Sequence, residues 1–311
     1  MSGKILGIHH ITAIAGEARR NLHFYTHVLG LRLLKKTVNF DDPKTYHFYY
    51  GNGVGTPGTI LTFFPWGRIV TGRRGTQMAT EIGYSVPEGS LEFWLDRFQQ
   101  YNVTYNKPSE KFGEPYLTFL DPDGLKQELI VSGSSDARSA WETAEIKASA
   151  AIKGFHLVSL TLQEVKATAE ILTEVFGYKL AGRHVNRYRF KTDAVEGAAI
   201  VDLVEVPNEM RGHLAGGSIH HVAFRVKDQA ELMEYREKIL ARGLHITEQI
   251  DRNYFYSLYF REPGGVLFEI ATDVPGFTTD EPLDELGTHL KLPPQYEDRR
   301  EELEQVLPQL D

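Results

Sequence analysis

The chain has 311 residues, 41% of them hydrophobic and 24% charged, the composition of a globular protein of about two domains. Its 34 basic and 42 acidic side chains leave a net charge of −8, the wrong sign for neutralising nucleic-acid phosphates. There is no cysteine, which excludes disulfides, thiolate nucleophiles, iron–sulfur clusters and Cys-type zinc sites, so any metal must be held by histidines and carboxylates.

The acidity is local. Residues 273–311 carry eleven acids and three bases, so residues 1–272 sum to zero. The start, MSGKILGIHH, has no long apolar leader run, and no stretch reaches the roughly 20 apolar residues of a membrane helix. A cytoplasmic protein with neither membrane nor nucleic-acid partner is expected.

The elements repeat along the chain. GIHHITAIAGEARRNLHFYTHVLGLRLL, from Gly7, reads as an alternating strand, a helix closed by Gly30 and a second strand. It opens a first module at 5–65. TQMATEIGYSV, a helix over Ser90–Tyr101 and the hairpin LTFLDPDGLKQELIV make a second at 76–132. From Gly154, GFHLVSLTLQEVKATAEILTEVFGYKLA aligns without gaps on the segment from Gly7 and opens a third at 152–206. GSIHHVAFRV, a helix over Asp228–Arg242 and LYFREPGGVLFEIAT make the fourth at 217–272. The turns DPDG and EPGG mark hairpins at matching places.

Polar connectors at Thr71–Thr76, Gly133–Ala151 and Pro207–Gly216 separate the modules. An N-terminal domain (1–140), a C-terminal domain (150–272) and a tail (273–311) follow. The tail should pack through Leu286, Leu290 and Leu292, leaving an acidic helical end (Asp298–Leu310) solvated. A module of this size cannot close its own sheet, so the expected fold is α+β: four βαβββ modules paired into two curved mixed-sheet barrels, each around a concavity, plus the acidic C-terminal tail.

Of the twelve histidines, His9-His10 and His220-His221 are adjacent pairs on the first strands of modules one and four. Neighbours on a strand point to opposite faces, so one of each pair should enter a cavity. His220 shares its face with Val222, Phe224 and Val226, a set suited to packing under a helix. His221 lies with Ile219, Ala223 and Arg225, which suits a cavity lining, and the repeat makes His10 its counterpart. In VLFEIA, Glu269 stands in an apolar strand, where a carboxylate must be paired or bound to a metal. His10, His221 and Glu269 together match the two-histidine, one-carboxylate set of non-haem Fe(II) oxygenases.

The other histidines point elsewhere. His23 and His27 are spaced i, i+4 but lack a metalloprotease glutamate and read as helix-surface residues. In module three Leu157 takes the ligand position beside His156. Glu81 and Glu128 occupy the positions of His221 and Glu269 in module two, where structural roles are expected. His47, His184, His213, His245 and His289 carry no signal. Phe48, Tyr49, Tyr50, Phe63, Phe64 and Trp66 are expected in core and cavity wall.

With these residues the chain resembles the vicinal oxygen chelate superfamily of glyoxalases, bleomycin-resistance proteins and extradiol dioxygenases. It is similar, within that superfamily, to ring-cleaving dioxygenases that open hydroquinones. The matching stretches are GIHHITA, TPGTILTFFPW, GSLEFWLDRF, IHHVAF, DRNYFYSLYFREPGGVLFEIATD and the tail GFTTDE…LG…LKLPPQYE.

The resemblance implies Fe(II) on His10, His221 and Glu269, with zinc or another divalent ion taken up in purification. It places His9, Thr12 and Arg252 against substrate, and His220, Tyr259 and Arg252 in catalysis. Tyr259 faces either way by parity, and Arg252 reads equally as a surface charge. The implied partners are a small aromatic substrate and O2, with self-association left open. A glyoxalase-like lyase or isomerase, which would need a further carboxylate ligand, and a non-catalytic binding member of the superfamily are the alternatives.

Overall fold

A computed structural model describes residues 4–133 and 136–310. The ends of the expected N-terminal domain and tail, and two residues of the first long connector, lie outside them. Module one folds as β1 (Ile8–Ala15), α1 (Ala18–His23, running on as a π turn over Phe24–Val28), β2 (Arg32–Val38), β3 (Tyr46–Gly51) and β4 (Ile60–Pro65). Module two is β5 (Met78–Val86), α2 (Leu91–Gln100), β6 (Thr104–Tyr105), β7 (Ser109–Lys111), β8 (Glu114–Leu120) and β9 (Lys126–Val131). Module three is β10 (Gly154–Leu162), α3 (Lys166–Glu170), β11 (Lys179–His184), β12 (Arg187–Lys191) and β13 (Ile200–Glu205). Module four is β14 (Ser218–Val226), α4 (Gln229–Ala241), β15 (Ile250–Asp251), β16 (Phe255–Arg261) and β17 (Leu267–Pro275). The tail ends in α5 (Arg300–Val306).

Local chemistry explains the matching boundaries. Gly30 and Gly177 close the first helices of modules one and three at φ +70° and +77°, the left-handed conformation a glycine adopts without strain. Asp228 caps α4 by accepting from the backbone N–H of Ala230 and Glu231, and Leu232, Tyr235 and Ile239 bury one helix face.

The strands form two mixed sheets, ordered β15-β16-β17-β14-β1-β4-β3-β2 and β11-β12-β13-β10-β5-β9-β8-β6, with β7 added beside β8. Each sheet is centred on an antiparallel pair, β1 with β14 and β5 with β10. Module one therefore shares its sheet with module four, and module two with module three. The sequence halves 1–140 and 150–272 are not the two sheets, because each sheet takes one module from each half. All eight residues of β1 are buried, as a central strand covered on both faces requires.

The tail crosses β2. Leu290 bridges to Lys36, while Leu286 and Leu292 are buried. Its helical end is not simply solvated: Leu303 and Leu307 of the α5 region are buried in the main core. Lys35 is fully buried and ion-paired to Glu281 and, at 2.6 Å, to Asp280 of the tail. That pairing lets a lysine sit inside the protein. No helix among the described residues is long and apolar enough to cross a membrane.

Candidate metal centre and its cavity

The centre forms where β1, β14 and β17 lie side by side. Nε2 of His10 and Nε2 of His221 stand 3.1 Å and 2.9 Å from Oε2 of Glu269, and 3.4 Å from each other. Ligand-type atoms of all three lie within 4.8 Å of one another, and among the described residues no other group of three or more His, Asp or Glu converges in this way. All three side chains are buried, Glu269 completely. Burial pushes the Glu269 carboxyl up, but His10 and His221 outweigh it and hold the pKa well below the usual carboxylate range. Yet neither carboxylate oxygen has a well-aligned hydrogen bond. Two imidazole nitrogens and a buried anion converging without such bonds suit a divalent cation, which accepts all three as donors.

Each ligand-type histidine is backed by its sequence neighbour. Nδ1 of His9 lies 2.9 Å from Nδ1 of His10, and Nδ1 of His220 lies 2.8 Å from Nδ1 of His221. A histidine offering Nε2 to a metal carries its proton on Nδ1, so His10 and His221 would donate to His9 and His220. Burial drives His9 well below its ordinary pKa, and burial with His221 alongside takes His220 down to about 3. Both are neutral and able to accept.

Strict strand alternation would not allow this arrangement, and bulges explain it. In the β1–β14 ladder His10 pairs with Ala223 and Thr12 with His221, but the next pairs are Ile8–Phe224 and Ala13–Ile219. His9 and His220 are the extra residues of two bulges, where the face rule lapses. The expectation that His220 packs under a helix is corrected: it lines the cavity beside His221. His9 is not among the cavity-lining residues and packs behind His10 against the Phe255 ring.

The cavity above the group has a volume of about 320 Å³, at the small end of ligand sites. Thr12, Arg252 and Tyr259 line it with His10, His220 and His221. Tyr259 pairs with Glu269 across β16 and β17, which settles its facing, and its ring lies 5.6 Å from that of His221. Burial, reinforced by Glu269, raises the Tyr259 pKa, so its hydroxyl keeps its proton. The Arg252 guanidinium sits 5.3 Å from the Tyr259 ring and 5.4 Å from that of Phe40. Burial opposes the Arg252 charge, but Tyr259 and Glu269 outweigh it and it stays cationic. Arg252 is thus a cavity residue and not a surface charge.

Sequence reasoning missed the opposite wall. His47, Asn39, Phe40, Asp41 and Asp42 line the cavity from β3 and the β2–β3 loop. His47 shares a strand face with Tyr49, but only the pairing of β3 with β4 turns that face toward the cavity.

In the other sheet the matching positions are filled by ion pairs. Glu81 meets Lys126 at 2.5 Å and Arg187 at 2.9 Å, and Glu128 meets Lys111. Arg189 joins Asp202 and Glu114, and His156 lies 2.9 Å from Glu114.

Known proteins resemble this chain over nearly its whole length. The model of the Glyoxalase/Bleomycin resistance protein/Dioxygenase superfamily matches residues 7–129 and 154–270. The chain is 43% identical over 307 residues to a Bacillus subtilis (strain 168) protein provisionally named ring-cleaving dioxygenase MhqO, covering 99% of this chain and 97% of that one. It is 34% identical over 311 residues to chlorohydroquinone/hydroquinone 1,2-dioxygenase of Sphingobium indicum, covering 96% and 95%. A crystal structure of a provisionally named dioxygenase from Bacillus subtilis subsp. subtilis str. 168 superposes with a TM-score of 0.96 at 41% identity, over 100% of this chain and 99% of that one. The chain belongs to the glyoxalase/bleomycin resistance protein/dioxygenase superfamily, on its ring-cleaving dioxygenase branch.

Proposed function

We propose that the protein is an Fe(II)-dependent dioxygenase that opens hydroquinone-type aromatic rings with O2. The buried His10–His221–Glu269 group at the floor of an aromatic-walled cavity supports this reading most directly. A relative named for chlorohydroquinone and hydroquinone supports the substrate class. Iron, when bound, would acidify a phenolic hydroxyl and let electrons pass between ring and O2.

The chain's own residues do the rest. His10, His221 and Glu269 would hold the metal, with His9 and His220 keeping the Nδ1 protons in place. His220, accepting at Nδ1, carries its own proton on Nε2 and can donate it to a substrate oxygen. The protonated Tyr259 hydroxyl is a second donor, and the Arg252 cation stands beside it. Donors and a cation around one site favour a substrate that has given up its phenolic proton. Phe64, Trp66 and Phe255 wall the ring in and keep water away.

The test is to purify the protein without oxygen, add Fe(II) and follow O2 uptake with methylhydroquinone and with catechol. Uptake with methylhydroquinone is expected; none with either, despite bound iron, overturns the reading. His10→Ala and Glu269→Ala should each lose both iron and uptake, and iron retained in both overturns the ligand assignment.

A further inference from the structure

Cross-strand neighbours form a row over four strands of the eight-stranded sheet: His221 on β14, Thr12 on β1, Thr62 on β4 and Tyr49 on β3. Side chains link along it. Thr12 Oγ1 lies 2.8 Å from Thr62 Oγ1, which lies 2.9 Å from Nε2 of His47. Thr12 and Thr62 are buried, and His47 is 8% exposed. The Nδ1 atom of His47 is sealed from solvent and has no hydrogen-bond partner.

That orphan nitrogen decides the direction of the chain. A buried N–H without an acceptor is rarer and harder to tolerate than a lone pair without a donor. Nδ1 is therefore the bare nitrogen, His47 is neutral, and its proton is on Nε2. Burial also lowers the His47 pKa, in the same sense. Nε2–H then donates to Thr62, whose hydroxyl donates to Thr12. Thr12 accepts that bond, so its own proton turns away from Thr62, toward the cavity it lines.

We propose that His47 is a positioning residue that acts through Thr62 to make Thr12 a committed hydrogen-bond donor to the deprotonated hydroxyl of a bound aromatic diol. This rests on the function proposed above for its ligand, although the direction of the chain does not. The donor is oriented before substrate arrives, so it needs no reorganisation when negative charge settles on the oxygen.

The test has two arms. In the full-length chain without added metal, nitrogen-15 NMR of the imidazoles should find the His47 proton on Nε2. A proton on Nδ1 overturns the proposal, whatever the enzyme turns over. In the iron-loaded chain, anaerobic titration should show methylhydroquinone binding weakened about tenfold by His47→Leu and by Thr62→Val, with the double variant no weaker than either, as expected of one shared network. Iron content should stay unchanged. His47→Gln, whose amide N–H can reach Thr62, and Thr62→Ser should restore binding. Additive losses, or a His47→Gln variant as weak as His47→Leu, would reduce His47 to a packing residue and overturn the proposal. A wild-type protein that binds the diol yet takes up no O2 would sink the dioxygenase reading and leave this assignment standing.

Discussion

At the level of single residues, the centre is two histidine pairs set about one carboxylate. In each pair one imidazole offers Nε2 to the centre while its neighbour holds the other nitrogen, 2.9 Å away in one pair and 2.8 Å in the other. Sequence adjacency would normally send two such rings to opposite faces, and a bulge at the first residue of each pair, His9 and His220, lifts that rule. Tyr259 owes its place to a different constraint, direct pairing with Glu269 across two strands. It lines the cavity, and the proposed ligand set is His10, His221 and Glu269 alone. Tyr259→Phe should therefore keep full iron content while the turnover number for methylhydroquinone falls by about a hundredfold, the usual loss for one proton-handling group. Loss of iron in parallel would show that Tyr259 acts on the metal site.

Among the elements, the tail is the one whose role sequence patterning described least well. Its acidic side chains suggest a solvated end, and Glu297, Glu302 and Glu304 do pair with Arg299 and Arg300 at the surface. The same segment also buries Leu303 and Leu307. Next to it, the Tyr296 hydroxyl donates to the Phe40 carbonyl at 2.6 Å, and the Phe40 ring lies under Arg252 at the cavity. The tail thus supports the β2–β3 loop from outside while that loop forms the cavity rim. Leu303→Ala should destabilise the protein by about 2–5 kcal/mol in denaturant unfolding, as for other fully buried leucines. It should also raise KM for the diol with iron retained. A loss below about 1 kcal/mol would mean that the tail merely rests on the body.

For the whole molecule, the decisive fact is that each sheet takes one module from each half of the chain, and the sheet with the candidate centre joins the first module to the last. His10 comes from the first module, and His221 and Glu269 from the last. A bound metal would therefore cross-link β1 to β14 and β17 in the native state only. At a hundredfold excess over its dissociation constant, a ligand confined to the native state adds about 2.7 kcal/mol. Chelation should then lower the thermal midpoint of the iron-loaded protein by roughly 5 °C. The Glu269→Ala protein should show no such response, and equal shifts in both would place the stabilising metal elsewhere. The second sheet has the same architecture but closes its matching positions with Lys111, Lys126 and Arg187 against Glu81 and Glu128. One sheet holds a candidate centre, and its twin holds a salt-bridge network.

The sequence by itself determined the modules, the α+β class and the three residues that converge. Hydrophobic alternation, helix-closing glycines and an internal repeat are local properties, and a carboxylate in an apolar strand signals its own need for a partner. Tertiary structure alone decided which modules share a sheet, where the bulges release His9 and His220 from alternation, and that His47 and the β2–β3 loop form the far wall. Those outcomes depend on strand register between segments about 200 residues apart, such as His10 opposite Ala223. No periodicity within one strand encodes its partner or the residue it will face.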